Sequence, residues 1–109
     1  MASNAAARSS PPADEHDLIA RCQAGEREAF DELIRRYQRR IYTFAYRLTG
    51  NADDAADVAA DTFVRLYSSI GSFRGDSSFV TWLFRVVTNI YLDSRKRRRA
   101  HPTQSLDEM

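Results

Sequence analysis

The chain of 109 residues has few of the residues that staple or interrupt a fold: one cysteine, three prolines and four glycines. A lone Cys22 excludes an intramolecular disulfide and suits a reducing compartment. It sits in a helical pattern beside apolar positions, so a small buried side chain is expected there. The prolines stand at positions 11, 12 and 102, which leaves the long middle of the chain free of breakers. The two histidines, His16 and His101, are far apart and with Cys22 give no metal-ligand spacing, so neither metal nor cofactor is expected. Glycine-rich loops of the nucleotide-binding kind are missing. No apolar run approaches the ~20 residues of a membrane span, and the opening MASNAAARSSPPA lacks the apolar core of a secretory signal. No carboxylate pair comes with the partners a catalytic cleft would need. These absences together argue against an enzyme, a small-molecule substrate or a membrane, and leave a cytoplasmic domain that works by binding.

Charge is present in quantity but segregated. The formal net charge of +1 hides seven acidic residues against Arg21 and Arg27 in residues 14–32. Five arginines and no acid follow in residues 35–47, then Asp53, Asp54, Asp57 and Asp61 with no base in residues 51–61. From Arg65 to Arg99 the balance is eight basic residues against Asp76 and Asp93. Such blocks predict at least two binding faces, although the first acidic and first basic blocks read better as solvated helix faces.

Hydrophobic content of 43% with 12 aromatic residues suffices for one small core. Residues 1–13 are low in complexity and predict a disordered tail that Pro11-Pro12 separates from any helix. Residues 14–99 predict a compact all-α bundle of three main helices plus a short N-terminal one. Asp14 caps the short helix and Gly25 closes it. A long helix spans Arg27 to Thr49, its apolar residues Phe30, Leu33, Ile34, Tyr37, Ile41, Phe44, Ala45 and Leu48 recurring every three or four. Gly50 supplies the exit and Asn51 caps the helix from Ala52 to Ser69, whose stripe is Ala59, Thr62, Phe63, Leu66, Tyr67 and Ile70. Gly71 and Gly75 bracket a loop, and Ser77 or Ser78 restarts a helix that buries Phe79, Leu83, Val86, Val87 and Ile90. Period-two alternation is absent, so no strand is expected. Residues 100–109 read as the start of a linker.

The most informative stretch is Ser72–Arg99, SFRGDSSFVTWLFRVVTNIYLDSRKRRR. A loop of Gly, Ser and aromatics feeds a helix with Arg85, Thr88 and Asn89 on its polar edge, ending in five consecutive cations, Arg95 to Arg99. Cations hold phosphates irrespective of base, while an Asn amide and exposed rings can read or stack on bases. Asn89 is the best candidate for base-edge reading. Phe73 and Phe79 are candidates for stacking walls or for core, with core favoured at Phe79; Trp82 reads as a helix anchor or a DNA contact. Arg95 and Lys96 begin a run of which two or three members can reach one backbone.

In order and spacing these pieces resemble region 2 of bacterial RNA polymerase sigma factors, specifically the extracytoplasmic-function group. The resemblance covers Asp17 to about Arg99. It rests on Gly25-Glu26 with Ala29-Phe30, on Arg47-Leu48-Thr49-Gly50 followed by Asp53-Asp54-Ala55-Ala56-Asp57-Val58, and on Asp61-Thr62-Phe63. Ser72-Phe73-Arg74-Gly75 and Phe79-Val80-Thr81-Trp82-Leu83, leading to Arg85, Asn89 and Asp93, complete it.

The resemblance implies two faces. Asp53, Asp54, Asp57, Asp61, Thr62 and Phe63 would dock on the clamp helices of the β′ subunit of the polymerase core, with core packing the favoured reading for Phe63. Ala60 stands where the family usually has glutamine, which removes one polar contact. Arg65, Ser72, Phe73, Arg74, Gly75, Asp76, Ser77, Ser78, Trp82, Arg85, Thr88, Asn89, Arg95 and Lys96 would recognise promoter DNA, capturing non-template-strand bases of the −10 element in the loop. An anti-sigma factor is an implied partner. Complete members carry a further helix-turn-helix domain, so the chain reads as a piece of such a protein. The alternatives from other classes are a helical protein-interaction module and an RNA-binding module using the basic tail.

Overall fold

A computed structural model of the chain describes the backbone of residues 11–100 and the side chains of residues 14–99. The α-helices follow as α1 (Pro11–Gln23), α2 (Arg27–Thr49), α3 (Ala52–Ser69) and α4 (Phe79–Ala100), with a 3-10 turn at Ile70–Ser72. The described residues contain no strand. Helices α2 and α3 begin and end where the apolar periodicity puts them. The joint between them is made by Gly50, whose φ of 70° suits a residue without Cβ and whose N–H donates to the Tyr46 carbonyl. Asn51 then caps α3, its side-chain oxygen accepting the Asp54 N–H at 2.9 Å. Asp53 and Asp54 lie in the first turn, where negative charge favours the helix dipole.

α1 departs from expectation. It starts at Pro11, not at Asp14, because proline is tolerated at a first helical turn where its missing N–H has no partner to lose. The Asp14 carboxylate is therefore not a cap; it pairs with Arg36 of α2 at 2.7 Å. Residues 1–10 of the expected tail and 101–109 of the expected linker lie outside the described residues, while residues 11–13 and 100 are helical.

α2 is the central element, with α1, α3 and α4 all packed on it. Leu33 and Ile41 of α2, Leu66 of α3, and Leu83 and Val87 of α4 are fully buried. Each such side chain contributes roughly 1.5–3 kcal/mol by leaving water. Besides the Asp14–Arg36 pair, two side chains fix the ends of α1. The Tyr37 hydroxyl donates to the Glu15 carboxylate. The Gln23 side-chain amide donates to the carbonyls of Ile70 and Phe73, both at 2.9 Å. That second contact anchors the loop entering α4. Tyr67, assigned to the core stripe by spacing, is 70% exposed instead. The stripe on α3 is wider than the face its neighbours cover, so Tyr67 rests only edge-to-face on Phe30, ring centres 5.1 Å apart.

Candidate nucleic-acid and protein interface

The loop from Ser72 to Ser78 is held by its own backbone. Gly75 takes a φ of 83°, a conformation open to glycine, and so turns the chain between Arg74 and Asp76. Gly71 needs no such freedom, since it lies in the 3-10 turn with ordinary φ. Ser72 donates to the Ser69 carbonyl at 2.7 Å and Ser77 to the Ser78 carbonyl at 3.1 Å. Ser78 is the one that opens α4: its hydroxyl oxygen accepts the Thr81 N–H at 3.1 Å and its proton goes to the Thr81 hydroxyl at 2.9 Å. These three hydroxyls therefore shape the loop, leaving lone pairs but no spare protons for a ligand. Arg74 and Asp76 are exposed and unpaired among the described residues.

The rings of this region form one cluster. Phe79 is buried at 4% exposure, so it is core and not a stacking wall. Phe73, half-buried, meets Phe79 edge-on at 5.5 Å and lies 5.4 Å from Trp82. Trp82 thereby anchors the loop to α4 while staying partly exposed. An open cleft of about 370 Å³ lies between loop and α1, lined by His16, Ile19, Ala20, Gln23, Phe73, Arg74 and Gly75. The α1 side of this cleft was not anticipated. Only a long-range hydrogen bond such as that of Gln23 brings it there, and no local pattern reports one.

On α4, Asn89 and Arg85 are both exposed, but they have different surroundings. Asn89 lines a groove of about 520 Å³ with Arg65 of α3 and with Leu92, Asp93, Arg95, Lys96 and Arg99. The expected residues Arg65, Asn89, Arg95 and Lys96 thus come together, and Arg85 stays outside them. Arg99 joins them from the expected basic run and Asp93 from the same motif; Leu92 was missed, although its three-residue step from Asn89 puts it on the same helical face. Thr88 is half-buried and its hydroxyl donates to the Phe84 carbonyl at 2.9 Å, so it is not a free donor.

The acidic edge of α3 lies against the basic half of α4. A narrow cleft of about 140 Å³ gathers Thr49, Asp54, Asp57 and Val58 with Tyr91, Ser94, Arg95 and Arg98. Within it Arg98 donates to Asp54 at 2.7 Å, and this carboxylate raises the guanidinium's already high pKa further. A second groove of about 250 Å³ brings Asp61, Val64, Arg65 and Ser68 of α3 beside Ile90, Asp93 and Arg97 of α4. The two expected faces therefore share an edge.

Asp53, Asp57 and Asp61 are exposed; Asp54 is half-buried and engaged with Arg98. Thr62 corrects the expected docking set. It is 0% exposed and its hydroxyl donates to the Val58 carbonyl at 2.8 Å, because it shares the inward row of Ala55, Val58, Ala59 and Leu66. Phe63 is half-buried against the core. Beside exposed Ala60, Val64 is 72% exposed, giving α3 an apolar surface residue that charge patterning did not flag. Among the described residues no group of His, Cys, Asp and Glu is arranged to hold a metal ion, and no helix is long and apolar enough to cross a membrane.

Comparison with known proteins bears on this geometry. The family model described as Sigma-70 region 2 matches residues 33–101. The chain is similar to the RNA polymerase sigma-H factor of Pseudomonas aeruginosa, 40% identical over 87 residues, covering 77% of this chain and 45% of that protein. It is 38% identical over 93 residues to the ECF RNA polymerase sigma factor SigM of Mycobacterium tuberculosis, covering 85% of this chain and 47% of SigM. The chain thus spans about half the length of these curated relatives. Its fold resembles an engineered region 2 of sigmaE in complex with GTAAAA, with a TM-score of 0.68, 30% identity, and 74% and 84% of the two chains covered. It also resembles CnrH in complex with the cytosolic domain of CnrY, with a TM-score of 0.62, 26% identity and coverages of 84% and 64%.

Proposed function

From the premise that the chain belongs to the sigma-70 region 2 family, on its extracytoplasmic-function branch, we propose that it is a promoter-recognition domain that joins RNA polymerase core to melted −10 DNA. It carries out no bond chemistry itself. The observation that carries this reading is the groove where Arg65 of α3 meets Asn89, Arg95, Lys96 and Arg99 of α4. It offers several phosphate-holding cations around one amide able to pair with a base edge. A single strand fits the site better than a duplex, because the loop can take a base only once it has left the stack, and the Watson–Crick edge is free for an amide such as that of Asn89 only in an unpaired base.

The loop cleft completes the strand site. An unstacked base entering between α1 and the loop meets the partly exposed Phe73 ring, the Arg74 side chain and the backbone at Gly75. Stacking of this kind contributes on the order of 1–3 kcal/mol per base. Binding energy of that size offsets part of the cost of unpairing, which is how a non-enzymatic domain promotes opening. Support comes from the engineered sigmaE region 2 of like fold, which was solved in complex with GTAAAA.

Asp53, Asp57 and Asp61 on α3, with Phe63, form the docking edge for the β′ clamp helices, a basic partner surface being favoured by the acidic residues. Thr62 supports that helix from inside and makes no contact. Ala60 and Val64 give the same side an apolar character where the family usually has a glutamine at the former position. Because this edge shares its grooves with α4, docking and strand capture are adjacent events on one surface. An anti-sigma factor covering these faces is part of the proposal; CnrH, of like fold, was solved with the cytosolic domain of CnrY.

The test is binding to a purified β′ clamp-helix fragment by the wild-type chain and by Asp57→Arg/Asp61→Arg. Saturable wild-type binding that the double reversal abolishes is expected. Binding by the reversed variant equal to wild type overturns the docking assignment.

A further inference from the structure

The five arginines of residues 35–47 fall into two groups in the folded chain. Arg35 and Arg36 are neutralised by Glu32, at 3.0 and 3.1 Å, and Arg36 also by Asp14. Arg39, Arg40 and Arg47 have no carboxylate within ion-pair distance among the described residues. These three rim a single groove of about 520 Å³ between α2 and the start of α4, whose remaining lining is Thr43, Phe44, Val80 and Phe84. Its floor is an aromatic pair: Phe44 and Phe84 stack at 4.4 Å with planes 7° apart. Along the outer side of α2 a second stacked pair, Tyr42 and Tyr46, stands 39% and 47% exposed with ring centres 6.4 Å apart. This surface shares no lining residue with the Asn89 groove.

Unpaired guanidinium groups interleaved with exposed, already stacked rings match the two needs of a nucleic-acid strand, phosphate neutralisation and base stacking. The row Arg39, Thr43, Arg47 steps every fourth residue, so its arginines stand about 12 Å apart along the helix. At about 3.4 Å per nucleotide in a stacked strand, that spacing straddles three to four nucleotides, and both arginines reach one backbone. An acidic helix could satisfy the cations, but it would leave the tyrosine faces without the flat partners they offer.

We infer that this groove and the adjoining outer face of α2 together form a second strand-binding track, taking single-stranded nucleic acid by its phosphates at Arg39 and Arg47, on the rim between them, and by its bases at Tyr42 and Tyr46 on the outer face. It stands on residues separate from those of the Asn89 groove.

The test uses the whole chain and a fluorescein-labelled oligothymidylate of about 12 nucleotides, within the site sizes of small strand-binding domains. Wild type, Arg39→Ala/Arg47→Ala, Tyr42→Ala/Tyr46→Ala and Arg65→Ala/Asn89→Ala are compared by anisotropy over a salt series, with thermal melting to confirm folding. The arginine pair is expected to flatten the salt slope by about 1.4, two phosphates at about 0.7 each. The tyrosine pair is expected to weaken binding at least fivefold, the effect of about 1 kcal/mol of lost stacking, with the slope unchanged. Wild-type slope and affinity in both α2 variants overturn the track, whatever Arg65→Ala/Asn89→Ala does. Losses in the α2 variants alone uphold the track and sink the strand reading of the Asn89 groove; no wild-type binding sinks both. An oligoglutamate peptide that displaces the strand as well as unlabelled oligothymidylate does, and whose own binding needs Arg39 and Arg47, assigns the groove to an acidic polypeptide and overturns the proposal.

Discussion

The salt dependence of the strand binding proposed for the Asn89 groove can be worked from its lining. Four cations converge there, Arg65, Arg95, Lys96 and Arg99, with Asp93 as the single opposing charge. If each holds one phosphate of a single strand, counterion release gives a log–log slope of about −2.8, four contacts at about 0.7 each. Raising salt from about 50 to about 200 mM changes its logarithm by about 0.6, so affinity for a −10-type strand falls about 50-fold. In Arg65→Ala/Lys96→Ala two contacts remain, and the same step costs only about sevenfold. Asn89→Ala behaves differently: it removes base reading, weakens binding at every salt concentration and leaves the slope alone. Anisotropy titrations of labelled strand at four or five salt concentrations measure all three chains. A double variant that keeps the wild-type slope refutes the assignment, because it means these cations touch no phosphate.

Further expectations follow from single contacts. Asn51→Ala removes the Asp54 N–H partner at the start of α3 and is expected to cost about 1 kcal/mol, or about 4–8 °C in melting temperature; an unchanged melting curve refutes the cap. Paired hydrogen bonds from Arg35 and Arg36 hold the Glu32 carboxyl below its ordinary pKa. Its contribution is therefore present above the usual carboxylate range and is lost as pH falls through the lowered value. Urea unfolding should accordingly find Glu32→Gln less stable than wild type near neutrality, by a few tenths of a kcal/mol for so exposed a group, with the gap closing in acid. The Asp54–Arg98 pair at 2.7 Å, with its side chains 29% and 63% exposed, is expected to couple by about 0.5 kcal/mol in a double-mutant cycle. Coupling near zero would mean the pair is not populated in solution.

The helices and the charge character of the candidate surface were legible because both depend on local order. Unbroken spacing of apolar residues from Phe30 to Leu48, Gly50 as exit and Asn51 as cap determine α2 and α3, since periodicity and capping act within a few residues. The same locality exposed the basic run after Asn89 and the acidic run before Asp61. Where a helix starts proved less certain: Pro11-Pro12 serve as well to open a helix as to stop one, and only packing against α2 selects between these uses.

What the tertiary structure alone decided is which charges meet and which polar groups remain free. Packing α4 across α3 turned two separate charge blocks into one edge, with Arg98 on Asp54 and Arg65 beside Asn89. It turned Thr62 inward and Tyr67 outward, although both belonged to one predicted stripe, because burial depends on how much of a helix its neighbours cover. It also set Gln23 against the loop 50 residues away. Hydrogen bonds and ion pairs at that separation form only when elements dock, so the sequence by itself carries the fold class and chemical character of this protein, and the docking of α1, α3 and α4 on α2 assembles its candidate sites.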